Sequence, residues 1–272
     1  MIHFYSDIRT IEEAVQVGIA LDQFWFRGHS KDYGELIPGA FRKDNLGIFK
    51  RSRETSITEE FKRQAPAFSE FIPEEINHLE WLFIMQHYGS PTRLLDWSQN
   101  VLVALYFIVK QHFDHDGELW AIEPESLNEM SKHDFQIANT TDPFVKQLAA
   151  EAFRRLEEER DNDKLDIRGP IALHPPMRFP RMINQSSVFT IHPFPSDEHD
   201  SLSYTLEGSK FIVRYRIPKS RKKPLLNNLN SLGINEHTLF PNLDSLSKTI
   251  RMRIENEDKK SASNSPRIPR FD

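Results

Sequence analysis

Cysteine is absent from the 272-residue sequence. Disulfide bonds, thiol nucleophiles and zinc sites with cysteine ligands are therefore excluded. Because cysteine-free chains suit reducing compartments, where structural disulfides are rare, we expect a cytoplasmic protein. The eleven histidines are scattered without the spacing of metal ligands, so we also predict that the protein has no metal site.

Long apolar runs are missing as well. The longest, Val101 to Val109, is about half of the ~20 residues that a membrane-spanning helix needs. The N-terminal segment, Met1 to Ala14, lacks the basic stretch and apolar run that mark a secretory signal. We therefore expect no membrane partner.

Charge of one sign does not dominate, since 40 acidic and 35 basic residues leave a net charge of −5. A uniformly basic surface for non-specific nucleic-acid binding is thereby excluded, although a local basic patch is not. The common motifs for dinucleotides, for nucleoside triphosphates, for zinc proteases and for serine hydrolases are also absent. Any chemistry must therefore come from less common clusters of polar residues.

Local patterns predict several helices. Thr10 to Glu13 is a capping box that opens a helix to about Leu21, and Ser56 to Glu59 is a second one, opening a helix towards Phe71. Ser98 is a candidate N-cap for a helix that follows over residues 101–112. Strands are predicted at residues 22–26, 117–122, 171–173, 188–192 and 210–217.

The helices and strands alternate irregularly, and no domain break is visible. This pattern favours an α+β fold with one domain over residues 1–254. The remaining polar segment, 255–272, is predicted to be a disordered tail.

One loop-like segment, residues 87–98, holds unusual chemistry for its position. Gly89 and Pro91 predict a tight turn, and Arg93 and Asp96 then lie beside the apolar run that follows. Charges at the edge of a core are unfavourable unless they are paired. Two interpretations remain open: Arg93 and Asp96 form a structural ion pair, or they face a ligand.

Two further clusters could bind an anion. Arg27 follows an aromatic strand and precedes Gly28, His29 and a serine, so its guanidinium could meet a phosphate, or else form a buried ion pair. Arg181 stands before the polar run that begins at Asn184 and includes Gln185. Taken alone, this third cluster is typical of a solvated loop.

Together these clusters resemble the FRG domain family. Residues 26–28 read Phe-Arg-Gly, and residues 86–98, with Ala104 to Phe107, resemble the central motif of that family. Arg181, Gln185 and the residues after them resemble its third motif, with serine at 187 where glycine is usual. The resemblance spans about residues 20–250 and implies a bacterial or phage-related setting, but it implies little about activity.

A more distant resemblance is to ADP-ribosyltransferases of the arginine–serine–glutamate type. Residues 96–98 stand where those enzymes have Ser-Thr-Ser, and Ala104 and Phe107 occupy matching offsets. The resemblance implies mixed sheets with flanking helices and NAD as substrate. The chain departs from the pattern at residues 185–187, where Gln185 and two serines replace the two glutamates. Neutral Gln or Ser side chains cannot supply the negative charge that stabilises the positive charge developing on the ribose.

We therefore predict an intracellular effector that binds NAD and either transfers ADP-ribose or hydrolyses NAD, as a toxin or in defence against phage. Its further partner would be a protein or nucleic acid that is modified. The alternatives are a non-enzymatic module that senses a nucleotide or a phage component, and, with less support, a nuclease. The predicted catalytic residues are Arg27, Asp96 and Gln185, and the predicted NAD-binding residues are Arg27, His29, Thr92, Arg93 and Ser98.

Overall fold

The computed structural model describes residues 4–42, 51–69, 72–132, 134–154, 165–194, 211–251 and 254. Within these ranges seven strands form one sheet in the order β1-β7-β4-β2-β3-β6-β5. Only the β1–β7 pair is parallel, so the sheet is mixed. The strands are β1 (Phe4–Asp7), β2 (Trp25–His29), β3 (Leu94–Ser98), β4 (Gly117–Ile122), β5 (Ile171–Leu173), β6 (Ser187–Ile191) and β7 (Ile212–Ile217).

Helices flank the sheet, which confirms the predicted α+β class with a mixed sheet. Short 3₁₀ turns occupy Gly39–Phe41 and Ala65–Ala67. The α-helices are α1 (Ile11–Ala20), α2 (Arg51–Gln64), α3 (His78–His87), α4 (Val101–Val109), α5 (Pro124–Lys132), α6 (Pro143–Glu151), α7 (Pro180–Asn184), α8 (Lys219–Ser231), α9 (Glu236–Leu239) and α10 (243–251). No helix in the described part of the chain is both long and apolar enough to cross a membrane.

The alternation of side chains along β2 explains the Phe-Arg-Gly string. Phe26 packs into the core that α4 shares with this face of the sheet. Gly28 faces the same way, and a Cβ there would lie 2.2 Å from the carbonyl oxygen of Ala104 in α4. Since successive residues of a strand point to opposite faces, Arg27 must project to the other side. The glycine thus permits close packing of α4, and the arginine is left for polar contacts.

Strands β2 and β3 are joined through a single residue pair, Phe26 opposite Ser98. By contrast, β2 pairs with β4, and β3 with β6, over five residue pairs each. The sheet therefore opens between β2 and β3 beyond that pair, on the side where Arg27 and Asp96 lie.

Several local predictions are confirmed and others are wrong. The Thr10 capping box and its helix are present. The Ser56 box is not a helix start, because α2 already begins at Arg51. Ser98 ends β3, and Asn100 caps α4 by accepting a hydrogen bond from the Leu102 amide at 2.9 Å. The predicted tail, 255–272, lies outside the described residues.

Candidate functional site

Arg27 lies at the opening between β2 and β3. Its Nη1 donates to the Asp96 carbonyl oxygen at 2.6 Å, and its Nε donates to Nε2 of His29 at 3.3 Å. The Asp96 carboxylate is 3.8 Å from Nη1. A guanidinium has five N–H donors, and these hydrogen bonds within the described ranges use two of them. The Arg27 side chain is 16% exposed, and its hydrogen bonds leave three N–H donors free for a ligand among the described contacts.

Asp96 is the accessible acid beside it, with 56% of its side chain exposed. Gln86 in α3 donates to the carboxylate at 2.6 Å. Thr92, which is buried, donates in turn to the Gln86 side-chain oxygen at 2.5 Å. A chain of hydrogen bonds thus orients the carboxylate, and Thr92 acts through Gln86.

Gln86, Thr92 and Asp96 line a polar cleft of about 490 Å³, and Arg27 contacts the cleft wall through Asp96. Its wall includes the loop 89–92 that follows α3, together with Asp96, Arg42 and Arg53. Gly89 has a φ of 80°, a left-handed conformation that side chains disfavour, so glycine permits this turn. The tight turn predicted from Gly89 and Pro91 is therefore confirmed, and it forms part of the cleft wall.

The cleft is rich in positive charge. Burial lowers the pKa of Arg27, Asp96 opposes that effect, and the nearby Arg42 adds to it. Arg53 contributes a third, exposed guanidinium to the cleft. Among the described lining residues, Asp96 is the one carboxylate. This arrangement suits an anionic ligand of which one part approaches the acid.

Arg93 has a different role from the one predicted. It is fully buried, and its guanidinium meets Glu54 through two hydrogen bonds, at 2.9 and 2.7 Å. Its Nη1 donates to the Leu148 carbonyl at 2.8 Å and lies 3.3 Å from a carboxylate oxygen of Glu151. The predicted pairing of Arg93 with Asp96 is therefore wrong. The arginine ties α2 and α6 to β3 and does not line the cleft.

The charges around Arg93 explain how it tolerates burial. Burial alone would lower the pKa of Arg93, but the carboxylates of Glu54 and Glu151 outweigh that effect and raise it. A buried ion pair of this kind stabilises the fold only while the arginine and its carboxylates are both present, because removing either one leaves an unpaired buried charge.

Gln185 and Ser98 also serve the fold. Gln185, which is 8% exposed, donates to the Leu239 carbonyl at 2.9 Å. Ser98 donates to the backbone carbonyl of Gln185 at 2.7 Å. These contacts join the end of β3 to α7 and α9, and neither residue lines the cleft. Of the predicted site residues, Thr92 and Asp96 line the cleft and Arg27 contacts Asp96, while Arg93, Gln185 and Ser98 lie elsewhere.

Two buried histidines stand close to Arg27. His29 is its hydrogen-bond acceptor and is 5% exposed. His192 follows β6 and shares a 2.9 Å hydrogen bond with Thr190, whose hydroxyl also accepts from Trp97. Burial, together with the charges of Arg27 and Arg93, lowers the pKa of His192 to about 3. Both imidazoles are therefore neutral near pH 7.

Sequence reasoning missed three residues of the cleft. Gln86 stands at the start of the central FRG-like block, so its position in that motif was a usable signal. Arg42 and Arg53 lie in no motif, and only the folded chain brings them to the opening.

Comparison with known proteins places part of this site in a family. Residues 22–117 match the family model of the FRG domain. The matched segment holds Arg27, Gln86 and Asp96. Neither the curated proteins nor the solved structures compared with the chain gave a match.

Proposed function

We propose that the cleft binds NAD, because the segment that matches the FRG family, residues 22–117, places Arg27 against Asp96 in the wall of a basic cleft. The protein would act as an intracellular effector that transfers ADP-ribose to a protein or nucleic acid, or hydrolyses NAD. The observation that carries the proposal is the partly exposed guanidinium of Arg27, 3.8 Å from an accessible carboxylate.

Arg27 is suited to the pyrophosphate of NAD. A planar guanidinium can donate two parallel hydrogen bonds to phosphate oxygens, which a lysine ammonium cannot reproduce. Arg42 and Arg53 add positive charge around the same space. The cleft volume, about 490 Å³, lies within the roughly 300–1,000 Å³ usual for small-molecule sites.

Asp96 is suited to the reacting end of the ligand. When the bond between nicotinamide and ribose C1′ breaks, nicotinamide leaves with the electron pair and positive charge develops on the ribose. A fixed carboxylate stabilises such charge. The oxygen of water, or of an acceptor group, then bonds to C1′ and passes its proton to Asp96. Gln86 would hold the carboxylate in place for both steps.

A second candidate function is a nucleotide-sensing module without turnover, in which binding alone signals the presence of a phage. One observation favours it. Residues 185–187, which stand where the transferase resemblance has its two glutamates, carry no acid, and Gln185 is bound to the Leu239 carbonyl. Catalysis would then depend on Asp96 without help from a second acid.

The test is release of nicotinamide from labelled NAD by the purified protein, with and without cell lysate or added nucleic acid. We expect turnover that falls about 10²–10³-fold in Asp96→Asn, the usual effect of removing one transition-state contact. The matched control is Asp22→Asn, an exposed aspartate far from the cleft lining. Turnover that survives in Asp96→Asn would refute the role of Asp96, and tight NAD binding without turnover would favour the sensor.

A further inference from the structure

A row of buried polar side chains runs behind Arg27 across three neighbouring strands. His29 in β2 lies opposite Glu118 in β4, and Trp120 lies opposite Arg214 in β7. His29, Glu118, Trp120 and Arg214 are all less than 9% exposed. Burying a polar group without a hydrogen-bond partner costs free energy. A row of four such side chains therefore suggests that their contacts with one another serve a purpose.

The hydrogen bond between Arg27 and His29 fixes the state of the imidazole. The Nε of arginine can only donate, so Nε2 of His29 must present its lone pair. A neutral histidine carries one ring proton, and that proton is therefore on Nδ1. The geometry of Arg27 thus depends on an uncharged His29.

Glu118 stands on the other side of the ring. Its Oε2 is 3.7 Å from Nδ1 of His29, which has no hydrogen-bond partner among the described residues. The carboxylate itself is held by Trp120 Nε1 at 3.1 Å and by Arg214 Nη1 at 3.3 Å. A carboxylate held by two donors therefore lies 3.7 Å from Nδ1 of His29.

The surroundings of His29 oppose a second proton. Burial lowers the pKa of His29, and the charges of Arg27 and Arg42 lower it further, while Glu118 opposes them. The ring of Tyr33, 5.4 Å away, packs edge-on against the imidazole. Protonation of Nε2 would place two N–H donors and two positive charges face to face, so the contact with Arg27 would be lost.

We propose that His29 is a positioning residue, which holds Arg27 in its ligand-binding geometry while neutral and releases it when protonated. The proposal rests on nucleotide binding by Arg27. It predicts that affinity is intact near neutral pH and falls at a pH below the ordinary histidine value of about 6.5. His29 therefore makes the cleft responsive to acid without contacting the ligand.

The first test is calorimetric titration of ADP-ribose between about pH 8 and pH 5, a range in which its pyrophosphate does not titrate. The affinity of the unmodified protein should fall as the pH drops below the ordinary histidine value of about 6.5, because protonated His29 cannot accept the hydrogen bond from Arg27. His29→Gln offers an acceptor that cannot be protonated, so its affinity should not change with pH. Full pH dependence in His29→Gln would overturn the proposal.

Two further variants sharpen the test. Glu118→Gln removes the charge that raises the pKa of His29, so the loss of affinity should move to lower pH. His87→Gln is the matched control, since the pKa of His87 is also lowered by burial and by Arg181, but its ring stacks on Phe179. In His87→Gln, the affinity for ADP-ribose should depend on pH as it does in the unmodified protein. If that dependence is lost, His87 and not His29 is responsible for it, and the proposal is overturned.

Nuclear magnetic resonance separates this proposal from the proposed function, because it needs no ligand. The Arg27 Nε–H resonance should shift with the titration of the His29 ring, at a midpoint below about 6.5. If the Arg27 Nε–H resonance does not shift as the His29 ring titrates, the positioning role is overturned, even if ADP-ribose binds. A signal that follows His29, in a protein that binds no ADP-ribose at any pH, would uphold the positioning role and refute the nucleotide function.

Discussion

Arg27 and Arg93 stand on adjacent regions of one sheet and have opposite surroundings. The Arg93 guanidinium is sealed, with Glu54, Glu151 and a backbone carbonyl as partners. The Arg27 guanidinium contacts a carbonyl and an imidazole, and its side chain is partly exposed beside Asp96. An arginine with its charge balanced inside the protein supports the fold. An arginine whose hydrogen-bond partners are uncharged, and whose side chain is partly exposed, is available to a ligand.

The largest effect expected from this comparison is on stability. Arg93→Ala would leave Glu54 buried without its partner, and the free energy of unfolding should fall by about 3–5 kcal/mol. Urea unfolding would measure this change. Arg42→Ala is a control at an exposed arginine, and should change stability by less than about 0.5 kcal/mol. A loss below about 1 kcal/mol in Arg93→Ala would contradict a structural role for the pair.

The effect of intermediate size is the loss of stability in acid that His192 causes. The charges of both arginines, Arg27 and Arg93, lower the pKa of this histidine. Its pKa of about 3 lies below the unfolded value of about 6.5, so the unfolded chain takes up a proton first as pH falls. Stability is therefore full above about pH 6.5 and is lost progressively towards pH 3. At about pH 5 the loss from this group should be about 2 kcal/mol.

Acid titration of stability in His192→Gln isolates that contribution. The variant cannot be protonated there, so its loss of stability between about pH 7.5 and pH 5 should be smaller than that of the unmodified protein by about 2 kcal/mol. Other histidines are common to both proteins and cancel in the difference. An identical loss in both proteins would show that His192 does not carry the neutral, buried state described.

The placement of the Arg27 side chain could be predicted from the sequence more readily than that of Arg93, for physical reasons. The alternation of β2 places Arg27 on the face opposite Phe26 and Gly28, a local pattern that can be read from three residues. The main partner of Arg93 is Glu54, 39 residues earlier in the chain. Nothing local links the two, so the sequence suggested only Asp96, which is near, as a candidate ion-pair partner, and a ligand as the alternative.

Contacts between residues that are distant in sequence also determine the helix boundaries and the lining of the cleft, so local patterns could not predict either one fully. The prediction that a helix begins at Ser56 was wrong, because α2 starts at Arg51. The helix is held by distant contacts of Glu54 and Thr58, and the Thr58 hydroxyl donates to the Ala152 carbonyl at 3.0 Å. Asp96 and the turn at Gly89 were predicted from the motif that holds them. Arg42 and Arg53 were not, because the opening between β2 and β3 exists only after the sheet forms.

The smallest expected effect on stability, and the most direct test of the central claim, comes from Arg27→Lys. Calorimetric titration of NAD and ADP-ribose near pH 7.5 should show affinity about ten- to a hundredfold lower than in the unmodified protein, because one charge-assisted hydrogen bond is worth about 1.5–3 kcal/mol. The free energy of unfolding should change by less than about 1 kcal/mol. Unchanged affinity in a stably folded Arg27→Lys protein, or no nucleotide binding by the unmodified protein, would contradict the assignment of this cleft.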